Sequence, residues 1–150
     1  MLKSIIISMR PKQWTKNLIL FAGIVFAQKL GDSQLLMRST LAFVIFCLIS
    51  GTIYLINDIA DVKEDRQHPR KKFRPIASGK LTIGAASTTA LLLLIISVFS
   101  AFSLNNPFGI CVLTYFLMML LYSYIFKHLV ILDILIIALG FVLRALPVPL

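Results

Sequence analysis

Long apolar runs alternate with short polar segments along the chain, and this pattern predicts a bundle of membrane-spanning helices. A helix needs about 20 mostly apolar residues to cross the hydrocarbon core of a bilayer. The first run is therefore short unless the turn at Trp14 to Lys16 joins it, and breaks are expected at Pro11 and at Asn106-Pro107. The prediction is a single all-α integral membrane domain over residues 1–150, a multi-span helical bundle with about five spans: residues 17–28, 41–56, 83–104, 108–126 and 129–147.

Composition supports this prediction. Hydrophobic residues make up 59% of the chain and charged residues 14%, with a mean hydropathy of +0.92, whereas soluble domains carry about 25% charged residues. The net charge of +9 does not indicate nucleic acid, because the bases cluster between apolar runs. Cys47 and Cys111 both lie within apolar runs, which is typical of buried small side chains and not of a disulfide framework or a metal cluster.

The distribution of bases predicts the orientation in the membrane. Twelve of the 15 Lys and Arg residues lie in segments 1–16, 57–80 and 126–130, whereas only Lys29 and Arg38 lie on the opposite side. By the positive-inside rule, the N-terminus and segment 57–80 are expected to face the cytoplasm. Arg144 lies within the fifth run and is expected to extend its charged end to the interface.

Segment 57–80 holds most of the candidate chemistry. At 100° per residue, four of its side chains fall within an arc of about 100° on one helix face: Asn57, Asp58, Asp61 and Asp65. Carboxylates placed so closely repel each other unless a cation lies between them. Mg²⁺ binds one or two carboxylates and completes its shell with water and phosphate oxygens. His68-Pro69 should end the helix, and a basic loop follows, so the segment predicts a magnesium–diphosphate site.

Spacing alone leaves a second interpretation open. A solvated cytoplasmic loop carrying positive-inside bases has the same composition. Asp58 could cap the helix or pair with a base of the loop, and Glu64 is expected to be a solvated charge.

Several motifs together resemble the UbiA superfamily of intramembrane prenyltransferases. The pattern Asn57-Asp58-x-x-Asp61-x-x-x-Asp65, followed by residues 74–81 (RPIASGKL), resembles its first aspartate-rich motif and the next loop. Residues 10–17 (RPKQWTKN) resemble the N-terminal motif of the decaprenyl-phosphate phosphoribosyltransferase branch. The turn containing Tyr122, Lys127 and Asp133, and residues 140–145 (GFVLRA), resemble later parts of that branch.

This resemblance implies a bundle of about nine spans around a central cavity, of which the present chain would be the N-terminal part. In this branch 5-phosphoribosyl 1-diphosphate donates phosphoribose to a polyprenyl phosphate, and diphosphate leaves with Mg²⁺ bound at the aspartates. Other branches transfer a prenyl group to an aromatic acceptor, which is the alternative activity. Residues 1–150 contain no second aspartate-rich motif, so a truncated, non-catalytic membrane protein is a third interpretation.

The resemblance also assigns roles to individual residues. Asp61 and Asp65 are the expected catalytic residues, and Asn57 and Asp58 join them as metal ligands. The expected substrate-binding residues are Lys16, Asn17, Arg74, Lys80, Tyr122, Lys127 and Asp133. Competing interpretations are lipid anchoring by Arg74 and Lys80, an interfacial anchor formed by Trp14 with Lys16, and a simple salt bridge between Lys127 and Asp133.

Overall fold

The computed structural model describes residues 1–126, and this part of the chain is built from helices joined by turns. The α-helices are α1 (Leu2–Ser8), α2 (Ala22–Phe26), α3 (Ser33–Ala60), α4 (Val62–Gln67), α5 (Ile83–Leu104) and α6 (Asn106–Leu121). Two 3₁₀ segments (Pro11–Phe21 and Lys71–Phe73) and one π-helical turn (Tyr122–Phe126) complete the order. The fifth predicted span, residues 129–147, lies outside the described residues, as does Arg144.

Three helical stretches of the described part are long and apolar enough to cross a membrane: Ser33–Ala60, Ile83–Leu104 and Asn106–Tyr124. Helix α5 covers the same residues as the predicted span. The predicted span over residues 17–28 is not confirmed, because a 3₁₀ segment and the five-residue α2 occupy that stretch. Gln28 adopts a left-handed backbone with φ 54° just after α2, and this conformation stops the helix.

Helix α3 is longer than the apolar pattern predicts. It begins at Ser33 because the Asp32 side chain caps it, accepting hydrogen bonds from the backbone N–H groups of Gln34 at 3.0 Å and Leu35 at 3.2 Å. Its 28 residues extend over about 42 Å at 1.5 Å per residue. The hydrocarbon core is about 30 Å thick, so both polar ends of α3 can reach beyond it.

Helix α3 is the centre of the bundle and packs against α5 and α6. The Phe46 ring lies 5.8 Å from the ring of Phe108 and 5.4 Å from that of Tyr115, measured between centroids. Helix α5, by contrast, exposes a stripe of large apolar side chains that includes Leu91, Ile95 and Phe99. Such a stripe on a spanning helix is suited to contact with lipid or with further helices.

A second apolar cluster lies at the C-terminal end of α3, and we refer to it as the end cluster. Its buried members are Met9, Leu55, Ile76, Leu81, Ala86 and Ala90. These residues come from the N-terminal segment, from α3, from the loop after α4 and from α5. The end cluster therefore brings four separate parts of the chain to the same end of the bundle as the acidic segment.

Substituting Gly51 tests how closely the N-terminal segment packs on α3. A Cβ atom at Gly51 would come within 2.7 Å of Met9 Cε, so Gly51→Ala should lower the free energy of unfolding by about 1–3 kcal/mol. The penalty should shrink when Met9→Ala is added. Thermal unfolding in detergent measures both effects. Gly84→Ala is the control, because nothing lies within 4 Å of its Cβ position; equal losses in the two glycine variants would contradict the packing.

Candidate functional site

The acidic segment follows a helical path from α3 into α4, with Asp61 at the junction. The Asp61 N–H donates to the Asn57 carbonyl at 2.9 Å, and the Asp65 N–H donates to the Asp61 carbonyl at 2.8 Å. Asn57, Asp61 and Asp65 therefore stay on one face, as their spacing predicts. Helix α4 ends at Gln67, and His68 is extended (φ −80°, ψ 134°) because Pro69 follows it.

Burial divides the acids of this segment into two groups. The side chains of Asp58 and Asp65 are only 2% exposed, and we refer to them as the buried acid pair. Asn57 and Asp61 are partly exposed, and Glu64 is exposed. A buried carboxylate is costly unless a counter-charge and hydrogen bonds compensate it, so the buried acid pair requires cations close by.

Two arginines supply those cations. The Arg74 guanidinium bridges the buried acid pair, because Nη1 donates to Asp65 Oδ2 at 2.7 Å and to Asp58 Oδ1 at 3.3 Å. Arg10 Nη2 donates to the same Asp58 oxygen at 2.5 Å. Asp58 thus pairs with a base of the loop, which is the alternative left open by the sequence, and a second guanidinium joins it.

Arg10 reaches Asp58 because the N-terminal segment folds back onto α3. Its backbone is left-handed, with φ 53°, and turns the chain from α1 into the 3₁₀ segment. The Trp14 Nε1–H donates to the Met9 carbonyl at 3.1 Å and stabilises this turn. The Arg10 guanidinium also lies 4.6 Å from the centroid of the Tyr54 ring, an arrangement that adds cation–π attraction.

Arg74 is held by a compact turn whose backbone is fixed at several points. The Ser78 N–H donates to the Arg74 carbonyl and the Leu81 N–H donates to the Pro75 carbonyl, both at 2.9 Å. Gly79 has a φ of 78°, a conformation that favours glycine. Arg66 Nε, from α4, donates to the Ala77 carbonyl at 3.3 Å. The backbone of this turn is therefore held in place, and the Arg74 side chain extends from it to the buried acid pair.

One oxygen of the buried acid pair lacks a hydrogen bond. Asp65 Oδ1 is buried and has no hydrogen-bond donor among residues 1–126, and the Lys71 Nζ atom lies 4.0 Å away. An unsatisfied buried carboxylate oxygen is costly, and it is suited to a cation. Asp61 lies one turn before it on the same face. Carboxylate oxygens of this kind fit Mg²⁺.

The acids of the described part do not complete a metal shell by themselves. Residues 1–126 contain no group of three or more His, Cys, Asp and Glu side chains arranged to hold a metal ion. An ion held by Asp61 and Asp65 would take its remaining ligands from water or phosphate oxygens, which is the usual coordination of Mg²⁺ at phosphate-binding sites.

The predicted substrate-binding residues lie in different surroundings. Arg74 contacts the buried acid pair, whereas Lys16 and Lys80 are exposed. Asn17 is buried against α3, where its Nδ2 donates to Cys47 Sγ at 3.4 Å. Cys47 precedes Asn57 by ten residues, about 15 Å along the helix, so Asn17 is separate from the acidic segment.

The remaining predicted residues belong to the turn after α6. Tyr122 begins the π-helical turn and is partly exposed. Lys127 and Asp133 lie outside the described residues.

Sequence reasoning missed two residues of this site. The sequence predicts Arg10 only as one of the bases that orient the chain in the membrane, and Lys71 only as one base of the loop after His68-Pro69. The signal available for Arg10 was its place at the start of the motif at residues 10–17. For Lys71, the signal was its position six residues after Asp65 and just beyond the turn at His68-Pro69.

A helical membrane bundle with an acid–arginine cluster at the end of its central helix defines the class of this protein. The model of the UbiA prenyltransferase family matches residues 17–148, and the chain therefore belongs to this family. The resemblance found in the sequence is thus confirmed. UbiA proteins are multi-span integral membrane proteins, consistent with the three candidate spans of the described part.

The curated relatives include decaprenyl-phosphate phosphoribosyltransferases of three bacterial species. The protein of Corynebacterium glutamicum is 37% identical over 93% of this chain and 43% of its own length. That of Mycolicibacterium smegmatis is 37% identical over 97% of this chain and 47% of its own length. That of Mycobacterium tuberculosis is 34% identical over 93% of this chain and 47% of its own length. The chain therefore spans somewhat less than half the length of these relatives.

Proposed function

We propose that this chain is the N-terminal part of a membrane phosphoribosyltransferase. The donor would be 5-phosphoribosyl 1-diphosphate, and the acceptor would be a polyprenyl phosphate held in the bilayer. Family membership and the names of three relatives support this class of reaction. The observation that carries the proposal is the buried acid pair with its arginines, in which Asp65 Oδ1 has no hydrogen-bond donor among the described residues.

In this proposal Asp61 and Asp65 hold Mg²⁺, and Asn57 contributes from the preceding turn of the same face. Bound Mg²⁺ supplies neutralisation of the negative charge that gathers on a departing diphosphate. Asp58 is left out of the metal site, because two guanidiniums already contact its Oδ1 atom. In this proposal Asn57, Asp61 and Asp65 bind the metal, and Asp58 stabilises the fold through its ion pairs.

Bases around the acids would hold the phosphate groups of the donor. Arg74 presents a planar guanidinium, which matches phosphate oxygens with two parallel hydrogen bonds. Lys80 is exposed at the far end of the same turn and would act as a point charge. With the diphosphate held at both its metal and its basic contacts, the anomeric carbon would be presented to the acceptor phosphate.

The proposal includes an orientation in the membrane. We assign the end of α3 that carries the acidic segment to the cytoplasmic side, because twelve of the 15 Lys and Arg residues belong to segments predicted on that side. A water-soluble sugar diphosphate would reach the acids from the cytoplasm. The polyprenyl chain would remain in the apolar layer beside the bundle.

A comparison of donors tests the proposed activity. Membranes containing the full-length protein are supplied with polyprenyl phosphate, an aromatic acceptor, Mg²⁺ and either phosphoribosyl diphosphate labelled in its ribose or labelled prenyl diphosphate. Label from phosphoribosyl diphosphate should enter the lipid fraction, EDTA should stop this incorporation, and added Mg²⁺ should restore it. Transfer from prenyl diphosphate to an aromatic acceptor, with no phosphoribosyl transfer, would favour the aromatic prenyltransferase of the same fold.

The coding sequence downstream of residue 150 provides a second test. An open reading frame with another aspartate cluster would support a longer transferase of which this chain is the first part. A stop codon directly after Leu150 would contradict that assignment and would favour the non-catalytic interpretation.

A further inference from the structure

The bridge formed by Arg74 places a cation between two acids of a segment for which a metal ion is proposed. We propose that Arg74 is a displaceable counter-ion: it holds the buried acid pair before ligands arrive, and metal binding releases its guanidinium to the donor's diphosphate. This inference rests on the proposed function, since it assumes that Mg²⁺ binds at Asp61 and Asp65. It adds that the Arg74 guanidinium competes with the metal for Asp65.

The charge balance at the two ends of the bridge differs. Asp58 contacts Arg10 at 2.5 Å in addition to Arg74 at 3.3 Å, so its charge stays compensated when Arg74 leaves. Asp65 contacts Arg74 at 2.7 Å, and the Lys71 Nζ atom is 4.0 Å from its second oxygen. Removal of Arg74 therefore leaves Asp65 in need of a cation, and a divalent ion meets that need better than a lysine at 4.0 Å.

The turn around Arg74 permits this exchange without a change of backbone. Pro75, Ile76 and Ala77 are buried, and the carbonyl of Arg74 accepts the Ser78 N–H. The Arg74 side chain is 27% exposed, so one edge of the bridge already faces outward. Rotation of the side chain alone would move the guanidinium from the acids toward an incoming phosphate group.

The exchange would also provide a positive charge for the donor's diphosphate. A diphosphate brings negative charge that needs positive partners, and a guanidinium engaged with two carboxylates is poorly available to it. Metal binding would occupy Asp65 and free the guanidinium at the same step. Metal binding would therefore raise the affinity of the site for the diphosphate, and by linkage the diphosphate would raise the affinity for the metal by the same factor.

Metal affinity measured without any donor tests the competition. Mn²⁺, used as a spectroscopic substitute for Mg²⁺, is titrated into the full-length protein in nanodiscs and followed by electron paramagnetic resonance. Arg74→Gln should bind Mn²⁺ about tenfold more tightly than wild type, because the lost charge-assisted hydrogen bond no longer opposes the metal. Arg74→Lys, which keeps a competing cation, should remain nearer to wild type.

Arg70→Gln is the matched control. It removes the same charge from an exposed arginine of the same loop and should leave the Mn²⁺ affinity unchanged. Unchanged or weaker binding in Arg74→Gln would overturn the inference while leaving the metal role intact. Failure of the wild-type protein to bind Mn²⁺ would overturn the metal role itself, and with it the inference.

Chemical labelling of the wild-type protein gives a measurement that does not depend on the variants folding. Phenylglyoxal modifies accessible guanidinium groups, and mass spectrometry reads each arginine separately. Labelling of Arg74 should rise several-fold on addition of Mg²⁺ and fall again on addition of inorganic diphosphate. Arg10 serves as the internal reference, because its contact with Asp58 is expected to persist. A labelling rate of Arg74 that saturating Mg²⁺ does not change would overturn the inference.

Discussion

Replacing Asp61 by asparagine should lower the transfer rate of the full-length protein by at least about a hundredfold while leaving the fold intact. Asp61 is partly exposed at the junction of α3 and α4, and asparagine preserves its size. The substitution removes a negative charge from the proposed metal site. Initial rates with saturating donor, together with a thermal unfolding curve, measure the two parts of this expectation.

Glu64→Gln is the matched control for this experiment. It removes one negative charge from the same segment, but at an exposed position, and its rate should stay close to wild type. Near-normal turnover in Asp61→Asn would refute the metal role of this residue. A loss of rate accompanied by unfolding would instead give Asp61 a structural role.

Replacing Asp58 by asparagine should mainly lower the free energy of unfolding, whereas Asp61→Asn should mainly lower the transfer rate. The substitution leaves two guanidiniums facing a neutral amide, and losing one partner from a buried ionic cluster costs several kcal/mol. Arg10 and Arg74 are 32% and 27% exposed and can turn partly toward water, so the expected loss is roughly 2–4 kcal/mol. Thermal and denaturant unfolding of the full-length protein in detergent provide the measurement.

A double variant separates the ionic contribution from simple loss of packing. Adding Arg10→Gln to Asp58→Asn removes one unpaired cation, so the double variant should be less destabilised than the sum of the two single variants. Additive losses would show that Arg10 and Asp58 do not stabilise each other. Asp32→Asn provides a comparison at the opposite end of α3, where the acid caps the helix from an exposed position.

Local signals in the sequence were enough to predict helix α5 and the end of the acidic segment. Thr82 caps α5 by accepting the Ala85 N–H at 3.2 Å, and a continuous apolar run follows it. His68-Pro69 stops α4 through a steric effect between neighbouring residues. The shared face of Asn57, Asp61 and Asp65 likewise depends only on helical spacing.

Features that depend on distant contacts were not predictable in the same way. Arg10 and Asp58 are 48 residues apart, and no periodic pattern links them. The extra length of α3 depends on the cap at Asp32, because an estimate from apolar residues alone stops where the polar residues begin. Asn17 opens an apolar run in the sequence, but the fold buries it against Cys47.

The separation between Arg10 and Asp58 also determines when the cluster can form during synthesis. The ribosome adds residue 58 several seconds after residue 10 at about 5–20 residues per second, so the acidic end of α3 cannot meet this guanidinium any earlier. Helices α5 and α6 follow later in the chain, so both partners of this ion pair are synthesised before the two helices that pack against α3.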